Sequence, residues 1–178
     1  ETLDKRYFPT KGLKTNISYT IYTNLHTNTA YSSLAAQVTK IFPITLNTFI
    51  IPTIYGRFIF NDGIPFMYSN LIGGEGYNPH YEQQIPFSGL THTESTLKLL
   101  GNAQIQVRHK FHEKHYLTLS GNYAIHQNQF SNFLQGKKIY GTSIGYGYDS
   151  PLGPIEGFIC YSNRTNKLGF YLNIGFGF

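Results

Sequence analysis

From residue 13 onward the chain alternates apolar and polar positions with period two, the pattern of strands whose two faces differ. Leu13, Thr15, Ile17, Tyr19 and Ile21 oppose Lys14, Asn16, Ser18, Thr20 and Tyr22, and Leu34, Ala36 and Val38 alternate with Ala35, Gln37 and Thr39. Residues 45 to 60 form a third segment, more apolar on both faces. After a long stretch containing Gly and Pro, the alternation resumes over 103–111, 117–125, 140–148 and 155–161. The closing stretch KLGFYLNIGFGF sets Leu168, Phe170, Leu172, Ile174, Phe176 and Phe178 in one row, with Gly169, Tyr171, Asn173, Gly175 and Gly177 between them. Eight strands of about ten residues, joined mostly by short polar turns such as FHEKH, YDSPLGP and SNRTNK, predict an all-β antiparallel meander. No amphipathic helix stands out.

Alternation alone does not say which face is wet. A soluble barrel of lipocalin type turns its apolar row inward, whereas an outer-membrane barrel turns that row to lipid and its polar row to the lumen. Strand length favours the membrane, because ~9–11 residues cross a bilayer when tilted and soluble strands commonly run to ~5–6. Tyr and Phe gather toward strand ends, as interfacial girdles do. The polar row mixes Gln, Asn, Arg, Lys and Glu with Gly, which suits a wet interior.

Composition agrees. Of 178 residues only 13% are charged while 16% are aromatic (15 Tyr, 14 Phe, no Trp), with 18 Gly, yet mean hydropathy is −0.25. The chain is rich in rings without being apolar on average. A spanning helix needs ~20 largely apolar residues, and the most apolar stretch, FIIPTIYGRFIF, is broken by Pro52, Gly56 and Arg57. The length fits one domain. Net charge is +5, but the 14 Lys and Arg are scattered without a basic run, which argues against a nucleic-acid partner. Cys160 stands alone and offers neither a disulfide framework nor a zinc set. The opening ETLDKRYFPTKG lacks the apolar core of a signal peptide, so the chain reads as a mature protein or a piece of a longer one.

Several stretches, in order along nearly the whole chain, resemble the BamA-type outer-membrane barrels, the bacterial surface antigen family. TLDKRYFPTKGLKTNISY looks like the turn and strand that begin the second half of such a barrel, and LGNAQIQVRHKF like the strand after its long sixth loop. Ser150 to Pro154 match its Ser-Pro-Leu-Gly-Pro hairpin, and KLGFYLNIGFGF is similar to its closing strand. The resemblance implies a transmembrane antiparallel β-barrel in which these strands are the C-terminal half of a 16-stranded whole. Residues 61–100 would be the sixth loop, folded into the lumen.

In that loop the family carries Val-Arg-Gly-Phe. This chain has Pro86, Phe87, Ser88, Gly89 and Leu90, with Ser88 at the Arg position. That departure weighs against an assembly or secretion activity. IGGEGYNPHYEQQIPFSGL instead resembles the barrels attached to bacterial patatin-like phospholipases, which implies a lipid-hydrolysing domain upstream. Tyr171, Ile174, Phe176 and Phe178 resemble the C-terminal signal read by the barrel-assembly machinery. The partners implied are outer-membrane lipids, that machinery, and either the remaining N-terminal strands or a second copy; the implied location is the bacterial outer membrane.

No catalytic set is built from these residues. A patatin-like site needs G-x-S-x-G on a sharp strand-to-helix elbow, whereas GTSIG at 141–145 lies within the alternating segment 140–148, and Asn61-Asp62-Gly63 reads as a turn. His109, His112 and His115 invite a metal, but HEKH is one residue short of H-E-x-x-H and sits on a hairpin, so solvated turn residues are the favoured reading. The Gly-rich stretches at 73–76 and 145–153 lack phosphate-loop spacing, so no cofactor is expected. Arg108, Lys110 and Glu156 are candidate lumen charges. The competing readings are a self-contained eight-stranded barrel with a binding or structural role, and an assembly or secretion barrel of the same family.

Overall fold

A computed structural model describes residues 1–5, 7–24, 29–74, 83–90 and 92–175. Its strands are β1 (Gly12–Asn24), β2 (Thr29–Pro43), β3 (Thr48–Ile59), β4 (Asn70–Ile72), β5 (Gln84–Ile85), β6 (Glu94–Thr96), β7 (Leu99–His112), β8 (His115–Gln127), β9 (Lys137–Ser150), β10 (Gly153–Ser162) and β11 (Lys167–Ile174). Eight of them form one sheet in the order β1-β2-β3-β7-β8-β9-β10-β11, each antiparallel to its neighbours. The predicted meander is therefore present. The sheet does not close on itself: among the described residues no strand pairs with the free edge of β1 or of β11.

Register carries the period-two pattern across the sheet. Phe42, Ile50, Val107, Leu119, Ile144, Ile159 and Phe170 are successive cross-strand partners from β2 to β11. Most of this row is open to the surroundings, as are Ile17 at 71% and Ile54 at 67% exposure. The neighbouring rows behave oppositely: Thr118, Ser120 and Asn122 of β8 are 4–5% exposed. The sheet is thus apolar outside and polar inside. Leaving an Ile or Phe in water forgoes about 1.5–3 kcal/mol each, so this outer face calls for an apolar surrounding.

The third segment is apolar on both faces for a local reason. Ile44 to Asn47 make the turn, with the Ile44 amide bonded to Thr48 O at 2.8 Å, so β3 begins at Thr48 rather than 45. Its inner residues Phe49 and Ile51 then pack with Ile41 of β2 and with Leu3 from the N-terminal segment. Higher on the same face, Tyr55 joins Leu100, Ala124 and Ile139 of neighbouring strands in a cluster with Ile72, Ile85, Phe87 and Leu90 from the β3–β7 connection. That connection carries a short 3-10 segment, Phe66–Tyr68, and a small sheet of order β5-β4-β6. Two covers therefore lie on the inner face, the N-terminal segment at the end with the short turns and the long connection at the other.

Candidate functional site: the inner loop and the polar face it covers

Residues 86–90 form a tight turn. The Phe87 amide donates to Gly74 O at 2.8 Å and the Gly74 amide to Leu90 O at 2.6 Å. Phe87, Ser88 and Leu90 are all buried. Ser88 is the hub: its Oγ lies 3.0 Å from Ser120 Oγ and 3.2 Å from Ser143 Oγ, and those two are 2.6 Å apart. With its carboxamide oxygen turned to the loop, Asn122 accepts the Ser88 amide at 2.7 Å. These wall residues belong to adjacent strands, β8 and β9, and register places Ser120 opposite Ser143. A neutral hydroxyl cluster therefore holds the loop to the wall.

Small residues let the backbones meet. A Cβ on Gly141 would sit 1.9 Å from Ser88 O, and one on Gly89 would sit 2.3 Å from Tyr161 C. Gly89 also holds φ +84°, a conformation costly for any side chain. The Thr165 hydroxyl donates to Gly89 O at 3.3 Å, and Arg164 Nε reaches Glu94 Oε2 at 3.0 Å, so the β10–β11 turn grips the loop from the side.

Arg57 supplies the other tie. It projects inward from β3, is 4% exposed, and donates through Nη1 to Asn70 Oδ1 at 2.9 Å and Ser69 O at 3.2 Å, and through Nη2 to Ser33 Oγ at 3.1 Å. Asn70 in turn donates to Leu97 O and Lys98 O at 2.8 and 2.9 Å. The start and finish of the loop are thus bound to one guanidinium.

At the opposite end, Phe8 is buried with its ring stacked on Tyr116, centroids 4.2 Å apart and planes 3° from parallel. The Arg108 guanidinium lies over the same ring at 5.3 Å, while its Nε and Nη1 find no acceptor among the described residues. Asp4 shapes this segment, accepting the amides of Thr10 at 2.8 Å and Lys11 at 3.2 Å together with the Thr10 hydroxyl. Slight burial pushes its carboxyl up, but these hydrogen bonds outweigh it and hold the group below the ordinary carboxylate value.

Beside the long connection lies a polar cavity of about 320 Å³, walled by β1, β2, β3 and β7 and roofed by residues 83–86. Lys14, Gln37, Arg57 and Gln104 face it.

The remaining sequence candidates are dispersed. His109 Nδ1 lies 2.9 Å from Thr48 Oγ1, and His115 Nδ1 lies 2.6 Å from Tyr146 Oη, with the His112 ring edge-on to His115. Among the described residues no group of three or more metal-ligating side chains assembles. Asp62 pairs with Lys98 in a turn where Gly63 holds φ +68°. Glu156 is buried in β10, and Lys110 lies in β7 beside the turn. Tyr171 and Ile174 lie in β11; Phe176 and Phe178 fall outside the described residues, as do Glu75 and Gly76 of the first Gly-rich stretch. Sequence reasoning missed Arg57 and Phe8 as anchors. Their signals were a lone cation at an inward position of an apolar strand, and a ring just before the first alternating segment.

Among curated proteins the chain finds no match. A family model, that of the OMP85 superfamily, matches residues 1–178, and the chain belongs to that superfamily.

Proposed function

We propose that this chain is the C-terminal half of a 16-stranded barrel of the bacterial outer membrane, and that it anchors or exports a patatin-like lipid hydrolase encoded upstream. The observation that carries the membrane reading is the inversion of the sheet, with Ile, Leu and Phe outward and Ser, Asn, Gln and Arg inward. Backbone edges inside lipid must be paired, so the free edges of β1 and β11 support further strands supplied by the rest of the protein. Lipid then meets the outer row, and residues 86–90 stand in the lumen. The barrel-assembly machinery inserts the chain, with Tyr171, Ile174, Phe176 and Phe178 as its recognition strand. The hydrolase reading rests on the likeness of the 72–90 stretch to such barrels. Ser88 in place of the family's Arg favours it over an assembly or secretion role.

The test is fractionation of the native protein followed by gel migration with and without boiling. Recovery in the outer-membrane fraction, with faster migration before boiling, is the expected result. A protein that stays in the soluble fraction without detergent ends the membrane reading. An upstream reading frame without a G-x-S-x-G domain ends the hydrolase reading alone.

A further inference from the structure

Beyond its strands the chain places apolar side chains where a connection in water would carry polar ones. The β8–β9 connection, NQFSNFLQG over residues 128–136, holds a 3-10 segment, Phe130–Gln135, with no buried residue. It folds back on the outer face of the sheet. A Cβ on Gly101 would lie 2.9 Å from the Phe133 ring, and alternation turns Gly101 outward, opposite Gly56 of β3 and Ile125 of β8. Two adjoining glycines lower the outer wall there, and the ring sits over one of them. Phe130 packs its ring 4.5 Å from that of Phe58, which also stands on an outer row. Phe58 leads on to Phe60 at 4.4 Å, and Phe60 to Tyr19 of β1 at 6.2 Å. One band of rings thus runs from the connection across the end of β3 to β1, at the end of the sheet that carries the long connection.

Even so seated, Phe130 is 65% and Leu134 76% exposed. Water makes such exposure costly, whereas a band of rings at the margin of an apolar wall is the arrangement of a membrane interface. Charge points the same way. Residues 128–138 contain no Asp or Glu, and the two carboxylates of the sheet strands, Asp149 and Glu156, fall on inner rows. Lys138, two residues past Gly136, is exposed and stands on an outer row beside Ile125 of β8. An ammonium on a long apolar stem reaches along such a wall to lipid phosphate. The outer rows of the sheet strands offer it no carboxylate instead.

We propose that the β8–β9 connection is a membrane anchor: Phe130 and Leu134 enter the apolar margin of the leaflet on the side of the long connection, and Lys138 meets its phosphate headgroups. The inference rests on the barrel reading, which gives lipid to the outer rows and says nothing of the connections. Residues 1–178 hold no Trp, so one substitution makes a local reporter, read as the difference from the unsubstituted protein. The test is Trp fluorescence of the full-length protein in vesicles of phosphatidylcholine and phosphatidylglycerol, with and without bromine on the acyl chains near the headgroup. The Phe130→Trp and Leu134→Trp variants are expected to emit at shorter wavelength and to lose about half their intensity to brominated lipid, since an interfacial segment sits ~5–10 Å into the boundary. Met67→Trp, on an exposed part of the long connection, is expected to keep its intensity. Adding Lys138→Glu to Leu134→Trp is expected to cut the quenching by about half; unchanged quenching overturns the headgroup contact. Ile144→Trp, mid-strand on the outer wall, reports the barrel separately. Quenching there, with Phe130→Trp and Leu134→Trp behaving as Met67→Trp does, overturns this inference and leaves the barrel reading standing. An unquenched Ile144→Trp overturns both.

Discussion

At Gly89 and Gly141 the backbones of loop and wall touch, and no side chain fits between them. Gly89 adds a left-handed φ of +84°, a conformation that costs a residue with a Cβ about 1–3 kcal/mol. Gly89→Ala is therefore expected to lower the unfolding free energy, read from a lower urea midpoint, by at least that amount, because relief of the clash with Tyr161 also draws the Ser88 hydroxyl off Ser120 and Ser143. Gly121→Ala is the control, since nothing lies within 4 Å of a Cβ there. Equal midpoints for the two variants would remove the loop contact from the account of stability. That Ser88 lies in a connection between long strands was legible, because the period-two pattern lapses between β3 and β7. Its partners were not: Ser120 and Ser143 meet only through the β8–β9 register, and a single line of sequence does not display cross-strand pairs.

At the level of elements, the long strands were readable because their two faces have opposite partners, so period two survives from Leu13 to Ile174. It blurs in β3, where Phe49 and Ile51 turn inward under the N-terminal segment and make the segment apolar on both faces. The short strands β4 to β6 were invisible for a different reason. Runs of two or three residues carry no period, and these are held by Arg57 and Asn70 rather than by their own pattern. The loop is accordingly expected to depend on one wall residue. Arg57→Met deletes hydrogen bonds from a charged donor, each about 1.5–3 kcal/mol, and strands Asn70 and two carbonyls. Limited proteolysis within residues 61–98 should speed at least tenfold. Arg57→Lys should rescue little, because a single ammonium does not span Ser33 and Asn70 as the planar fork does. Unchanged cleavage in Arg57→Met would show that the Ser88 cluster holds the loop unaided.

For the whole molecule, the free edges decide what the sheet needs. Eight strands are enough to close a small barrel, yet β1 and β11 stay apart while the loop and the N-terminal segment cover parts of the inner face between them. Two long unpaired edges in a detergent micelle are costly, since the outward N–H and C=O groups at alternate residues lack both a partner and water. Residues 1–178 refolded alone are therefore expected to satisfy those edges by pairing β1 of one copy with β11 of another. Closure then takes two copies, giving sixteen strands. Light scattering with the detergent contribution subtracted distinguishes the cases. A dimer that shifts on boiling, and that falls to a monomer when Pro replaces alternate β1 residues whose N–H groups face the free edge, fits the half-barrel. A heat-modifiable monomer would mean that eight strands close without help, and the assignment to a 16-stranded whole would fail with it.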